Sequence, residues 1–279
     1  MPRVTVIIPT YNWSTVLPYS IGSVLDQTFT DFELLVIGDG CTDDSEAVVR
    51  AIDDPRVRWI NIARTGHQSD PNNEGLRQAR GEYIAYLGHD DLWLPHHLAV
   101  LVAALDAGAD LAHSRVALIP PRGAIKVAPR EWKPPTCVMH RRSVIERIGG
   151  WRDYRELNLP PDGDLWIRFE EAGCRVVFVE RLTAIKFPAV WRTNVYRKRP
   201  CHEQAAWLAR IRSRENLEML KWPTFESSFI DRLLRLIAHP SQWLSVLWRR
   251  PGARIKAWQR VKGVAHAARS PERPAGRHE

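Results

Sequence analysis

Two adjacent carboxylates, Asp90 and Asp91, stand behind a short apolar run, Tyr83 to Leu87, and a glycine, Gly88. Acids at the end of a strand lie where α/β sheets bind ligands, beyond the carboxyl ends of their strands. Side by side they repel unless a cation or a proton lies between them. A hard divalent ion, Mg²⁺ or Mn²⁺, shared with substrate phosphates resolves that repulsion. Asp90 and Asp91 are therefore the candidate metal ligands. The plainer alternative is a polar turn ahead of a helix starting near Pro95, with Asp91 as its cap. A third acid, Asp39, follows the apolar run Phe32 to Ile37 and lies between Gly38 and Gly40. It can accept hydrogen bonds from a nucleobase imide or a ribose hydroxyl; the alternative is a turn-forming Asp. The stretch LPPDGDLWIRFEE, Leu159 to Glu171, adds Asp162 and Asp164. A hydroxyl that attacks as a nucleophile must lose its proton, and a carboxylate in reach can take it, an effect worth roughly 10²–10⁴ in rate. Asp162, on a turn flanked by Pro and Gly, is the candidate base. Asp164 is the cap and structural acid of a helix over 164–172, and the substitute base. The rival reading makes either acid an N-cap only.

The elements that must position these acids follow from periodicity. Val4 to Ile8 is continuous, apolar and β-branched, as in a strand buried on both faces of a parallel sheet. Pro9-Thr10-Tyr11-Asn12 breaks it. Apolar residues at helical spacing from Val16 to Gln27 predict a helix, Phe32 to Ile37 a second buried strand, Glu46 to Ile52 a helix and Val57 to Ile62 a third strand. This βαβαβ order belongs to a doubly wound nucleotide-binding half. Neither GxGxxG nor GxxxxGK[ST] follows the first strand, which disfavours a dinucleotide fold or a P-loop enzyme. Asn72 opens a helix that feeds the Tyr83 to Leu87 strand. A helix from Pro95 to Ala107, a strand from Ala109 to Val116, a Pro-rich loop over 119–135, a strand and helix over 136–150 and a strand from Arg175 to Val179 complete the core.

Three of these stretches, VTVIIPTYN, VIGDGCTDDS and NNEGLRQARGEYIAYLGHDDLW, together resemble the start of a family 2 glycosyltransferase of the GT-A fold. The resemblance covers about residues 3 to 185. It implies an α/β fold, a mixed, mainly parallel sheet flanked by helices, and inverting transfer from a nucleotide diphosphate sugar (UDP-, GDP- or dTDP-linked). It also implies that Pro9, Tyr11 and Asp39 line the nucleotide pocket, with Thr10, Asn12, Asn73 and Asp90 completing the donor site. Asp90 and Asp91 then belong to the metal-binding DXD region. Asp162 takes the place of the catalytic Asp. Two departures stand out. Gly88 replaces the first acid of the usual Asp-x-Asp-Asp, and Pro161 replaces the Glu that commonly precedes the base. His89, inside the motif, can add a metal or phosphate contact or be a solvated loop residue. Trp151 can form an acceptor wall or pack in the core. Two other classes remain: a nucleotidyltransferase, disfavoured because no glycine-rich basic loop follows Val4–Ile8, and a catalytically silent nucleotide-sugar binder.

Bulk composition bounds the rest. The 279 residues are 44% hydrophobic, enough for one large core with an appendage. The first apolar run is too short for a secretory signal, and no stretch approaches the roughly 20 apolar residues of a membrane span. Four scattered cysteines without metal spacing predict reduced thiols in a cytoplasmic protein. From Val190 onward there are 19 Lys and Arg against 7 Asp and Glu, so within a net charge of +8 the preceding residues carry −4. The chain is accordingly divided into a GT-A domain over 1–195, a helical, basic, Trp-bearing region over 196–269 and a disordered tail over 270–279. Arg197 or His202 of the second region can reach a nucleotide diphosphate. Its Trp and Leu beside Arg and Lys suit a helix at an anionic membrane surface, near a saccharide or lipid-linked acceptor. No nucleic-acid reading motif accompanies the charge.

Overall fold

The computed structural model describes residues 1–213. Of the helical region expected over 196–269, the part beyond 213, with the membrane-facing surface proposed for it, lies outside the described residues, as does the tail over 270–279.

β1 (Val4–Thr10) and β2 (Phe32–Asp39) are almost wholly buried and pair in parallel, Val4 against Phe32 through Thr10 against Gly38. Both faces of these strands are covered, which is why their sequences are continuous apolar runs rather than alternating ones. β3 (Val57–Ile62) extends the sheet beyond β2, and β4 (Tyr83–Tyr86) pairs with β1 on its other side, both in parallel. α1 (Leu17–Leu25), α2 (Ser45–Arg50) and α3 (Ser69–Gln78) make the crossovers. The sheet then turns mixed. With β5 (Leu92–Trp93), β6 (Leu111–Leu118), β8 (Val138–Arg141) and β9 (Val176–Lys186), its order is β3-β2-β1-β4-β8-β6-β9-β5, where β8 is antiparallel to β4 and β6, and β6 is parallel to β9. α4 (His97–Asp106), α5 (Arg142–Ile148) and α6 (Pro161–Glu171) complete the layers.

Several boundaries move from their expected places. β1 runs through Pro9 to Thr10; its pairing with β4 ends at Ile7, so on that side the missing N–H of Pro9 costs no ladder bond. α3 begins at Ser69, three residues before Asn72. α6 begins at Pro161, so Asp162 lies inside the first helical turn instead of on a turn before it. Pro at the start of a helix costs no hydrogen bond and presets φ, so the two prolines start the helix early. The Pro-rich loop contains a two-residue strand, β7 (Lys126–Val127), paired with β6. Another short strand, β5 (Leu92–Trp93), follows the acidic turn and pairs with the far end of β9.

α7 (Val195–Lys198) and α8 (His202–Arg212) lie in the basic region. Trp207, Leu208 and Ile211 of α8 are buried with Leu92, Leu94, Ile185 and Phe187, and Arg212 pairs with Asp26 of α1 at 2.7 Å. The first part of that region thus packs on the β5–β9 edge. No described helix is long and apolar enough to cross a membrane.

Candidate active site

The carboxyl ends of β1, β2 and β4, the turn between β4 and β5, the end of β9 and the start of α6 converge on one side of the sheet. Asp39, the last residue of β2, is 3% exposed. Its carboxylate accepts from Thr65 N at 2.7 Å, Thr65 Oγ1 at 2.8 Å, Gly66 N at 2.9 Å and the Arg64 guanidinium. A carboxylate offers about four acceptor sites, and all four are filled by the loop after β3. Gly40 makes that approach possible: its φ is +66°, and a Cβ there would lie 2.6 Å from the Arg64 Cβ. The Arg64 guanidinium carbon lies 3.5 Å from the centroid of the Tyr11 ring, so Arg64 bridges Tyr11 and Asp39. Sequence reasoning named Tyr11 and Asp39 but not the arginine between them, which lies in a polar loop with no periodic signal.

The last residue of β1 and the loop after it act as braces. Thr10 Oγ1 and His89 Nδ1 are 2.9 Å apart, tying this loop to the acidic turn. Asn12, at φ 44°, donates from Nδ2 to Thr42 Oγ1 at 3.1 Å and accepts at Oδ1 from the Thr42 and Asp43 amides. Pro9 is half-buried in β1, one residue before the strand ends. Asn73 sits in the middle of α3, not at its start. Its amide donates to Trp151 O at 2.7 Å and accepts from Trp151 N at 2.8 Å, clamping α3 to the segment after α5. Trp151 itself is 4% exposed, in edge contact with Tyr86 and Trp166, which favours the core over an acceptor wall.

The two acids of the β4–β5 turn differ sharply. Asp91 is wholly buried. It accepts from Lys186 Nζ at 2.7 Å, from the Phe187 amide at 3.1 Å and from the Thr136 hydroxyl. Burial pushes the Asp91 carboxyl up; Lys186 opposes that. Burial alone would lower the Lys186 ammonium, but the charge of Asp91, then Asp90, outweighs it and raises the pKa, so Lys186 stays charged. Asp90 is 8% exposed, and its carbonyl accepts from Gln204 Nε2 of α8 at 3.1 Å. His89 meets the Trp13 ring edge-on, with centroids 5.1 Å apart. Asp162, in the first turn of α6, is close enough to Lys186 to help hold its charge. Asp164 does not cap that helix; its N-cap is Pro160. The Asp164 carboxylate pairs with Arg168 at 2.9 Å and Arg152 at 3.4 Å instead. Arg197 and His202 are exposed on α7 and at the start of α8.

Lys186 is the residue that sequence reasoning missed. It ties the end of β9 to the turn after β4, and its partner Asp91 lies 95 residues away. Among the described residues, no three His, Cys, Asp or Glu side chains gather as a ready metal cage. The chemistry of the donor set still fits Mg²⁺ or Mn²⁺ in part. Such ions often take one or two protein carboxylates and complete their shell with water and substrate phosphates. Asp90 fits that part, whereas Asp91 is already committed to Lys186.

Comparison with known proteins gives the family and the fold. A family model described as glycosyl transferase family 2 matches residues 5–157. The chain is 34% identical over 113 residues to the GalNAc(5)-diNAcBac-PP-undecaprenol beta-1,3-glucosyltransferase of Campylobacter jejuni, covering 39% of this chain and 36% of that protein. It is 31% identical over 102 residues to the Escherichia coli UDP-Glc:alpha-D-GlcNAc-diphosphoundecaprenol beta-1,3-glucosyltransferase WfgD, covering 37% and 40%. The chain therefore spans well under half the length of these relatives. In fold it is similar to S. aureus TarS 1-349 in complex with UDP-GlcNAc, with TM-score 0.59, 19% identity, and 77% and 68% of the two chains covered. A second likeness is the mannosyltransferase PcManGT of Pyrobaculum calidifontis with GDP-Man and Mn²⁺, at TM-score 0.56, 17% identity, and 94% and 84% covered. With more than half of its residues inside the family model and its sheet built in the same way, the chain belongs to glycosyltransferase family 2 and has the GT-A fold.

Proposed function

We propose that this chain transfers a sugar from a nucleotide diphosphate donor to an acceptor hydroxyl, with inversion, in the assembly of a surface polysaccharide or glycolipid. The observation that carries the reading is the convergence of Tyr11 and Asp39, Asp90 with Lys186, and Asp162 on one side of the sheet. Tyr11 and Asp39 supply an aromatic face and an acceptor for the base. Pro9, Thr10, Asn12 and Asn73 hold the surrounding loops. Asp90 is the carboxylate that would hold a divalent ion together with the donor's phosphate oxygens, and Asp91 anchors Lys186 beside it. A bound Mn²⁺ or Mg²⁺ would neutralise charge on the diphosphate leaving group.

Asp162 takes the proton from the acceptor hydroxyl as that oxygen attacks the anomeric carbon from the face opposite the diphosphate. The C–O bond to the diphosphate breaks in the same displacement, and its electron pair leaves with the diphosphate. One displacement inverts the centre and requires no nucleophilic side chain on the enzyme. The two glucosyltransferases above are named for diphosphoundecaprenol-linked acceptors, and a lipid-linked acceptor is proposed here. The basic, Trp-bearing sequence after residue 213 would hold the enzyme at an anionic cytoplasmic leaflet.

Calorimetric titration of UDP, GDP and dTDP, with and without Mn²⁺, tests the donor reading on wild type and Asp90→Ala. One diphosphate should bind with metal-dependent affinity, and Asp90→Ala should lose that dependence. Binding of none of them would sink the reading. Asp162→Asn should keep donor binding while kcat falls roughly 10²–10⁴-fold. Full turnover in that variant would remove Asp162 as the base. Donor binding without transfer in wild type, across a broad acceptor panel, would instead favour a silent binding protein, the reading that Gly88 and Pro161 keep open.

A further inference from the structure

Lys186 is a charged side chain that the family motifs did not point to, and it lies among three acids. Its Nζ is 2.7 Å from Asp91, and Asp90 and Asp162 both act on its charge. The Asp91 side chain is 0% exposed while that of Lys186 is 25% exposed, so the acid is sealed inward and part of the lysine side chain stays open to solvent. Three separate donors occupy Asp91. A Cβ on Gly88 would lie 2.8 Å from Asp91 Oδ2, so an acid at position 88 would have to displace the Asp91 carboxylate from its present partners. The positive charge that the protein itself brings to this turn is therefore a lysine, and Asp91 serves to hold it.

We propose that Lys186 is a built-in cation for the donor's diphosphate, donating to its oxygens from the crevice side while Asp91 fixes it from behind. The proposal rests on the donor reading above and names a residue for it. An ammonium has three N–H donors, so engagement with Asp91 leaves others for a phosphate. As the anomeric C–O bond breaks, the electron pair and the negative charge move onto the diphosphate, and Lys186 strengthens its hydrogen bonds there. Transfer then keeps a share that needs no divalent ion, alongside any ion held at Asp90.

The test compares binding of a nucleoside diphosphate with its monophosphate by calorimetry, in chelator, using the base that wild type prefers. The monophosphate reports the base pocket, and the ratio reports the diphosphate contact. Wild type should bind the diphosphate about tenfold tighter, as for one charge-assisted hydrogen bond. Lys186→Met should abolish the ratio and leave monophosphate affinity unchanged, and Lys186→Arg should retain most of it. Lys186→Met orphans the buried Asp91 charge, so Asp91→Asn combined with Lys186→Met provides a second, better-balanced variant. The proposal is overturned if wild type shows no ratio in chelator, or if the double variant keeps it. If wild type binds neither nucleotide with or without metal, the donor reading fails instead, and that result is distinct from equal binding of both.

Discussion

Arg64 occupies both surfaces that a nucleobase would use. Its guanidinium lies over Tyr11 at 3.5 Å and donates to Asp39, so it offers the same stacking and the same N–H that an imide would bring. A base entering this pocket must displace it. The contact is worth little in absolute terms, because the Arg64 side chain is 41% exposed and water screens the pair. Removing it should still help the ligand: Arg64→Ala should tighten nucleoside diphosphate binding about two- to tenfold by calorimetry. Weaker binding in that variant would instead make Arg64 a ligand of the base. Asp39→Asn should weaken binding in either case, since an amide oxygen accepts less strongly and its NH₂ opposes the Thr65 and Gly66 donors. Asp39 was named from the sequence because a carboxylate between two glycines at a strand end can meet a ligand; in the structure it also holds the loop after β3 through Arg64, Thr65 and Gly66. Arg64 was not named, because its meaning comes from a ring on another loop.

α6 shows how an element turns a motif into geometry. Pro160 and Pro161 set its start, and Asp162 follows in the first turn. The far side of the same helix is pinned by Arg168, which is 8% exposed. Arg168 pairs with Asp164 and donates to the carbonyls of Ile148, Gly149 and Gly150 at 2.7–3.0 Å, fixing α6 to the end of α5. Arg168→Met leaves three carbonyls and the buried Asp164 with only the longer Arg152 contact. It should cost about 3 kcal/mol in urea unfolding, as for one partner removed from a buried ion pair. Asp164→Asn combined with Arg168→Met should cost less, because no charge is then orphaned. An equal loss in the two variants would mean that the carbonyl contacts, not the ion pair, carry the stability. The strands β1, β2 and β4 were readable because burial on both faces writes itself as an unbroken apolar run. β9 was read only as far as Val179, whereas it continues to Lys186. Exposed Glu180 and Arg181 and the register shifts beside Arg115 interrupt its pattern in the middle. β5 has two residues, too few to have a period. Lys186 was therefore hidden by the same irregularity that delivers it to Asp91.

At the scale of the whole molecule, three histidines are sealed inside the fold in neutral form. His140 is fully buried, with Nε2 at 3.0 Å from the Tyr86 hydroxyl and Nδ1 at 3.0 Å from Arg141 O, and burial lowers its pKa to about 4. His113 is held at about 4 by burial and then by the charges of Lys133 and Arg130. His97, stacked on Trp93 and bonded to Thr183 Oγ1 at 2.7 Å, is held well below its ordinary value, mainly by burial. Unfolding frees each ring to take a proton near pH 6.5. Between that pH and about 4 the unfolded chain binds protons that the native chain refuses, so stability falls as the pH falls. For His140 the gap corresponds to about 3 kcal/mol. Carboxylates held low by their partners, such as Asp54 beside Arg56 and Asp153 beside Arg155, release their stability at lower pH than this window. Domains are typically stable by about 5–15 kcal/mol, so two or three such rings can consume much of the margin before the low-held carboxylates titrate, while Asp91, whose carboxyl burial pushes up, offsets part of that loss. The urea midpoint should therefore drop steadily from pH 6.5 to 4.5. His140→Gln, which can keep both hydrogen bonds without a titrating group, should flatten that slope by about one histidine's share. A midpoint constant across the window in wild type would mean that these rings already carry protons in the native fold.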